Sequence, residues 1–248
     1  MNLLILNASP KKKGGASRFF SRLFRLFLPG TRKKVVSLSS RQDFQKVLGL
    51  FPDMDAVGLF VPLYVDGLPS HVVEFLNQAE SYCKSHSCRF RLYALSNNGF
   101  VEGKQNRPAL HMLQAWCERA GISWGGGSGV GGGVMLQVLG IVYPILVGVI
   151  LLQMALAFFT TSTVPSELWC SLAIQICTWL FLNSGMLFCM ARLSAAVRGR
   201  KPLANQFTRV MIPSFLFISI ANIFMILSSL FQGRFLFALL KRDKWYND

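Results

Sequence analysis

A short loop near the amino terminus holds the first residues that could do chemistry. Ser9, Lys11 and Ser17 lie between an apolar run and a segment with helical spacing. The first backbone N–H groups of a helix have no partner within the helix, and the helix dipole is positive there, so such a loop suits a phosphate. The hydroxyls and the lysine ammonium would add hydrogen bonds and charge. The alternative is a solvated turn in which Ser17 only caps the helix.

Two further loops carry aromatic and amide side chains. Pro62, Leu63 and Tyr64 open a loop bracketed by prolines, and a flat ring system could stack against the tyrosine. Residues 97–102 read Asn-Asn-Gly-Phe-Val-Glu and offer amides and turn backbone. Each of these two loops, taken alone, is more simply a surface turn.

The segments between the three loops alternate between strand and helix. Apolar runs predict strands at residues 2–7, 34–38, 56–63 and 89–95, with a short fifth strand near 122–124. Helical spacing follows at 17–28, 42–50, 69–76 and 107–120, and Gly121 is placed to cap the last helix. The pattern predicts a doubly wound α/β fold with a five-stranded parallel sheet. Ligands bind such sheets beyond the carboxyl ends of the strands, where all three loops lie.

Taken together, the three loops resemble those of the flavodoxin-like NAD(P)H-dependent FMN reductase and quinone reductase family. Ala8-Ser9-Pro10, Pro62-Leu63-Tyr64 and the 97–102 loop occur in the family's order, and the resemblance covers about the first 133 residues. Ala8 replaces the glycine that usually precedes Ser-Pro. The family's closing helix should follow Gly133, where an apolar run begins instead. Either a membrane helix doubles as that closure, or the sheet is left partly uncovered.

The resemblance implies a flavodoxin-like fold that binds FMN, with NAD(P)H as co-substrate. The residues that it places at FMN are Ser9, Lys11 and Ser17 at the phosphate, and Pro62, Leu63, Tyr64, Asn97, Gly99 and Phe100 around the ring and ribityl chain. The flavin carries the redox chemistry, so neither a catalytic side chain nor a metal site is expected. The family often pairs across its active sites, so the resemblance also implies a homodimer.

The second half of the chain has the composition of a membrane region. Residues 120–166, 168–191 and 210–233 contain no Asp, Glu, Lys or Arg, and about 20 apolar residues suffice for a helix to cross a bilayer. We therefore expect a domain at 1–133 and a membrane region at 134–248, with spans at about 134–159, 168–191 and 210–232. The positive-inside tendency supports the first two spans and conflicts with the third, so two spans remain an alternative to three.

The net charge of +15 favours anionic lipid as the partner, because no nucleic-acid recognition motif accompanies it. The amino terminus lacks a signal peptide, so the first domain is expected on the cytoplasmic side of the cell membrane. Residues 127–132 formally match G-x-G-x-x-G, but they follow four predicted strands and are interpreted as a turn leading into the membrane.

These features predict a membrane-anchored, FMN-dependent oxidoreductase that takes hydride from NAD(P)H and passes electrons to a quinone or other small acceptor. One alternative is a flavodoxin-type electron carrier for a membrane partner. A second is a membrane protein that has lost its cofactor and mediates interactions.

Overall fold

The computed structural model describes residues 1–10, 14–64 and 67–231, which belong to two compact units. The first unit comprises Met1–Met211. The second begins at Ile212 and contains helix α7, Ser214–Phe231. Lys11, which the resemblance places at the phosphate, lies outside the described residues, as do the four basic residues that follow the third apolar segment.

The first unit is built on a parallel sheet with strand order β2-β1-β3-β4-β5-β6. The strands are β1 (Asn2–Asn7), β2 (Arg32–Ser37), β3 (Ala56–Pro62), β4 (Arg91–Asn97), β5 (Ser123–Val130) and β6 (Gln206–Phe207). The first five have the order 2-1-3-4-5 of the flavodoxin-like doubly wound fold. The sheet has six strands and not the five predicted, because β6 is too short to show any hydrophobic period.

Four helices lie between the first five strands of this sheet. They are α1 (Ala16–Leu26), α2 (Phe44–Leu48), α3 (Ser70–Ser85) and α4 (Arg107–Ala120). The bounds predicted for β1 and α4 are confirmed, and Gly121 caps α4 in the left-handed conformation, as expected. Leu4 and Leu6 of β1 pack on the face covered by α2, α3 and α4. Leu3 and Ile5 pack on the opposite face, beside Phe20 of α1.

Strand β5 is longer than predicted. It contains Gly127 and Gly129, which were interpreted as part of a turn, whereas Gly131 and Gly132 do lie in the turn that leads into the next helix. A Cβ atom on Gly126 would collide with the carbonyl oxygen of Leu203, and the residue has a φ of 107°. A Cβ on Gly129 would lie 2.6 Å from the carbonyl oxygen of Gly103. The glycines therefore allow two segments of backbone to approach the strand closely.

Two long helices follow β5. Helix α5 spans Gly133–Thr161, and helix α6 spans Ser166–Gly199. At 1.5 Å per residue they are about 43 and 51 Å long. A four-residue turn joins them into a hairpin, called here the long hairpin. By length and composition these two helices could cross a membrane, whereas Ser214–Leu227 is a shorter apolar helix.

The end of α6 covers the sheet. Met186, Met190 and Leu193 are buried against the face that holds Leu3 and Ile5. The hydroxyl of Tyr93 in β4 donates to the carbonyl oxygens of Ala196 and Lys201, each at 3.0 Å. Helix α6 thus supplies the closing helix that was expected directly after Gly133.

Helix α6 continues past the second apolar segment of the sequence. Arg192 and Arg198 follow that segment, and both lie within the helix. Arg192 is exposed while Leu193 is buried, so charged and apolar residues alternate around the helix axis in this part of α6. Charge at these positions marks one helical face and does not end the helix.

Candidate functional site

The ends of β1, β3 and β4 bring the three loops together along one side of the sheet, called here the site edge. The backbone N–H of Ala8, after β1, donates to the carbonyl oxygen of Phe60 at 2.8 Å. The N–H of Leu63, after β3, donates to the carbonyl oxygen of Asn97 at 2.7 Å. The site edge includes the point between β1 and β3 where the strand order reverses, which is the ligand-binding position of this fold.

The first loop ends in two glycines at the start of α1. Gly14 and Gly15 have φ angles of 73° and 95°, and a Cβ atom on Gly15 would lie 3.0 Å from Oγ of Ser9. Among the described residues no side chain caps the helix, and Gly15 holds the capping position. The alternative in which Ser17 caps α1 is therefore wrong. The start of α1 thus offers backbone N–H groups and the positive end of the helix dipole to an anion.

Asn97 connects all three loops. Its Nδ2 donates to Oγ of Ser17 at 2.8 Å and to the carbonyl oxygen of Val61 at 3.0 Å. Asn97 is 4% exposed and Ser17 is 1% exposed, so both hydrogen bonds lie in the interior. One side chain at the end of β4 thus fixes the first turn of α1 and the end of β3.

The second loop presents an aromatic side chain to solvent. Pro62 and Leu63 are half-buried, whereas 45% of Tyr64 is exposed. The backbones of Tyr64 and Gly67 exchange two hydrogen bonds, of 3.0 and 2.9 Å. These bonds hold the backbone of Tyr64 against that of Gly67.

The third loop is ordered by an asparagine and is hydrogen-bonded to the start of α5. Oδ1 of Asn98 accepts from the N–H of Phe100 at 3.1 Å, and its Nδ2 donates to the carbonyl oxygen of Glu102 at 3.0 Å. The N–H groups of Gly132 and Gly133 donate to the carbonyl oxygens of Phe100 and Asn98, at 2.6 and 2.7 Å. Gly99 is exposed, and Phe100 is 56% exposed. The loop and the first turn of the long hairpin therefore form one hydrogen-bonded unit.

Asn7 is a candidate that the sequence reasoning missed. It ends β1 and is 2% exposed, but neither Nδ2 nor Oδ1 has a hydrogen-bond partner among the described residues. Side chains alternate along a strand, so Asn7 shares the face of Leu3 and Ile5, which α1 covers. Buried amides normally have partners. An asparagine that ends an otherwise apolar strand was the signal available in the sequence.

The site contains no group of side chains arranged for metal binding. Among residues 1–10, 14–64 and 67–231, no three His, Cys, Asp or Glu side chains are close enough to hold an ion. The six cysteines are free: Cys170 and Cys177 are exposed, and the other four are buried. What the site edge offers is an uncapped helix start, amides, hydroxyls and exposed aromatic rings, which suit a ligand with a phosphate and a flat ring.

No protein-family model and no curated protein matches the chain. Among solved structures, the chain is similar to the Trp repressor binding protein from Bacillus subtilis, at 13% identity and a TM-score of 0.43, over 53% of this chain and 85% of that one. It is similar to an NAD(P)H:quinone oxidoreductase from Methanothermobacter marburgensis at 16% identity and a TM-score of 0.44, over 53% and 84%. A flavodoxin, WrbA-like protein from Agrobacterium tumefaciens is 12% identical with a TM-score of 0.41, over 50% and 75%. The fold is assigned here on the strand order.

Proposed function

We propose that this protein is a membrane-anchored flavoprotein oxidoreductase that binds FMN, takes hydride from NAD(P)H and passes electrons to a quinone or another small acceptor. The observation that carries the proposal is the pair of buried hydrogen bonds from Asn97 to Ser17 and Val61. They join the three loops of the family resemblance at the strand-order switch point.

The described residues fit FMN. A phosphate has a place at the uncapped start of α1, near the hydroxyls of Ser9 and Ser17. The buried amide of Asn7 has hydrogen-bonding capacity that no group of the described residues uses. Tyr64 and Phe100 offer exposed rings to an isoalloxazine, with Pro62, Leu63, Asn97 and Gly99 beside them in the same two loops.

When bound, FMN would supply hydride and electron transfer. The chain's own part is to bind and orient the cofactor. Asn97 keeps the loops in register, and the uncapped end of α1 offsets the charge of the phosphate. Asn98 shapes the third loop through its hydrogen bonds to Phe100 and Glu102.

The exposure of the long hairpin supports membrane anchoring. In the most apolar 18-residue windows of α5 and α6, only 6% and 17% of the residues are buried. The core helix of a soluble protein would be mostly buried, whereas a bilayer removes such a surface from water without protein contacts. In this proposal residues 1–133 form the cofactor domain on the cytoplasmic side of the cell membrane. Residues 134–248 form the membrane region, whose second helix returns to cover the sheet.

The structure weakens the case for a cofactor-free interaction protein. That alternative was favoured by an apparently missing closing helix, and the end of α6 now fills this place through Met186, Met190 and Leu193. The electron carrier remains the second candidate, because the same site edge would hold FMN in either case.

The first experiment is a visible absorption spectrum of the full chain in mild detergent, before and after addition of NADPH. We expect oxidised-flavin bands that bleach, whereas bands that persist would indicate the carrier.

Asn97→Ala should weaken FMN binding about tenfold or more, since it removes two hydrogen bonds worth about 1 kcal/mol each. Asn77→Ala, on the exposed surface of α3, is the matched control. A colourless protein that FMN cannot reconstitute would refute the proposal.

A further inference from the structure

We infer that the acceptor is a long-tailed quinone dissolved in the bilayer, which reaches the site edge from the lipid side. The inference rests on the proposed function and assigns its substrate class. It follows from the place where the long hairpin leaves the sheet, from the surface of the first turns of α5 and from the charge of the opposite edge.

The long hairpin leaves from the site edge itself. Strand β5 pairs its last residue, Val130, with Asn97 of β4, and α5 begins three residues later at Gly133. The hydrogen bonds from Gly132 and Gly133 to the third loop leave no flexible linker between cofactor loop and membrane helix. The distance between the site edge and the bilayer is therefore set by the first turns of α5.

Those first turns are apolar, mostly half-buried up to Gly140 and largely exposed from Ile141 onwards. Val134, Ile141 and Val142 are 49%, 54% and 41% exposed, and the chain has no charged residue from Ala120 to Ser166. Two helical turns rise about 11 Å, so the bilayer boundary lies within roughly that distance of the site edge. Tyr64 and Phe100 are exposed on the same edge, and aromatic residues are enriched at the membrane–water interface.

The opposite edge of the sheet carries charged side chains, as expected of a surface in contact with water. A cavity of about 360 Å³ there is lined by charged residues, among them Asp53, Asp55, Arg89, Arg91 and Arg200. The seven residues of β4 separate the two edges by about 23 Å at 3.3 Å per residue. A charged cluster thus marks the end of the sheet away from the start of α5, whereas the site edge carries the exposed rings of Tyr64 and Phe100 beside the ion pair of Glu102 and Arg209.

A long-tailed quinone matches this arrangement chemically. Its isoprenoid tail stays in the hydrocarbon, while its polar ring reaches the interface. The overall reaction balances as NAD(P)H + H⁺ + quinone → NAD(P)⁺ + quinol: two electrons and one proton come from the nicotinamide as hydride, and the second proton comes from water. A water-soluble acceptor would gain nothing from a site edge held against lipid.

The position of the site edge can be measured without turnover. A fluorescent label is placed at Lys104→Cys, exposed just after the third loop, or at Arg89→Cys, exposed on the opposite edge. Both variants carry Cys170→Ser and Cys177→Ser, which remove the exposed thiols. In vesicles of phosphatidylcholine and phosphatidylglycerol, lipids spin-labelled near the headgroup should quench the label at position 104 at least threefold more than the label at 89. Equal quenching would overturn the inference.

The acceptor is tested with the full FMN-loaded chain in the same vesicles. We expect NAD(P)H-dependent reduction of a quinone with ten isoprene units. Val134→Asp should slow this reaction at least tenfold, because it places charge where α5 enters the lipid, and should change the rate with a tail-less, water-soluble quinone less than twofold. An acidic residue suits the first turn of a helix, so the variant should fold. Val134→Ala is the matched control.

The outcomes separate the inference from the proposed function. A flavin-containing chain that reduces only the tail-less quinone would overturn the inference and leave the oxidoreductase intact. A chain without flavin would remove the function and the inference together. Reduction of the long-tailed quinone that Val134→Asp slows selectively, with quenching confined to position 104, would establish the lipid-side acceptor.

Discussion

At the scale of single residues, the two asparagines of the site edge differ in their partners. The side-chain amide of Asn97 donates both of its hydrogen bonds to protein groups, so its role is to hold the loops together. Asn7 is equally buried, and its amide has no hydrogen-bond partner in the part of the chain that the structure describes. The sequence predicted that the loops holding Asn97 and Ser17 meet, because the carboxyl ends of parallel strands lie at one edge. It could not show that Ser17 pairs with an asparagine eighty residues away, since that contact depends on the register of the sheet.

The buried amide of Asn7 predicts that an apolar substitution there raises the stability of the protein and lowers its affinity for FMN. Leucine has nearly the shape of asparagine, so Asn7→Leu removes a buried polar group without leaving a cavity. We expect the unfolding free energy of the cofactor-free protein to rise by about 1–3 kcal/mol. FMN should bind about tenfold more weakly, because the amide is then lost to the ligand. Thermal melts and FMN titrations of the variant and of Asn77→Leu measure both effects. Unchanged affinity would show that Asn7 does not face the cofactor.

At the scale of elements, the sequence predicted best those strands and helices whose formation depends on their own residues. Strand β1 and helix α4 carry their own hydrophobic periods, and their bounds were predicted. Strand β5 has few side chains that could show a hydrophobic period. Its glycines are needed because the backbone of Leu203 approaches Gly126 and the backbone of Gly103 approaches Gly129, and both contacts are long-range in sequence. The register of β6 beside Ser128 and Gly129 is likewise fixed only by long-range packing.

The packing of α3 on α4 makes a prediction about pH. Burial raises the pKa of the Cys83 thiol to about 12, and burial also raises the pKa of Cys117 on the facing helix. An unfolded thiol titrates near pH 9, so the folded state holds its protons more tightly. The stability that these two buried thiols contribute is fully present below pH 9 and is lost as the pH rises from 9 towards 12.

We therefore expect the melting temperature of the protein in detergent, with thiols kept reduced, to fall between pH 9 and pH 12. Cys83→Val, which removes one buried thiol, should make this fall shallower. Cys177→Val, at an exposed thiol on α6, should leave the fall in melting temperature with pH the same as in the unmodified protein. Parallel curves for Cys83→Val and the parent would contradict the assignment of the alkaline loss to this thiol.

At the scale of the whole molecule, the exposed length of the long hairpin is inserted between β5 and the end of α6, which closes the sheet. The chain leaves the site edge along α5, turns, and returns along α6, whose last part packs on Leu3, Ile5 and Phe20. It then adds β6 beside β5. The proposed membrane region and the proposed cofactor domain therefore share one core. A boundary at residue 133, natural in the sequence, divides groups that are packed together in the structure.

This shared core predicts that the two ways of removing the membrane region have opposite results. A chain that ends at residue 133 loses Met186, Met190 and Leu193 and leaves one face of the sheet exposed, so we expect it to aggregate. A chain that ends at Met211 and carries a short Gly/Ser linker in place of residues 141–183 keeps those side chains and β6. The cut ends lie on neighbouring helices, about 8–10 Å apart, which four linker residues can span.

The second chain should be soluble without detergent, elute as a compact species on gel filtration and bind FMN with the affinity of the full protein. It should also reduce a tail-less quinone while losing its reaction with a long-tailed quinone in vesicles, because only the anchor is missing. A soluble, flavin-binding 1–133 fragment would show that α6 is not the closing helix. An insoluble hairpin-deleted chain would show instead that the exposed lengths of α5 and α6 contribute to the fold, beyond their proposed role as an anchor.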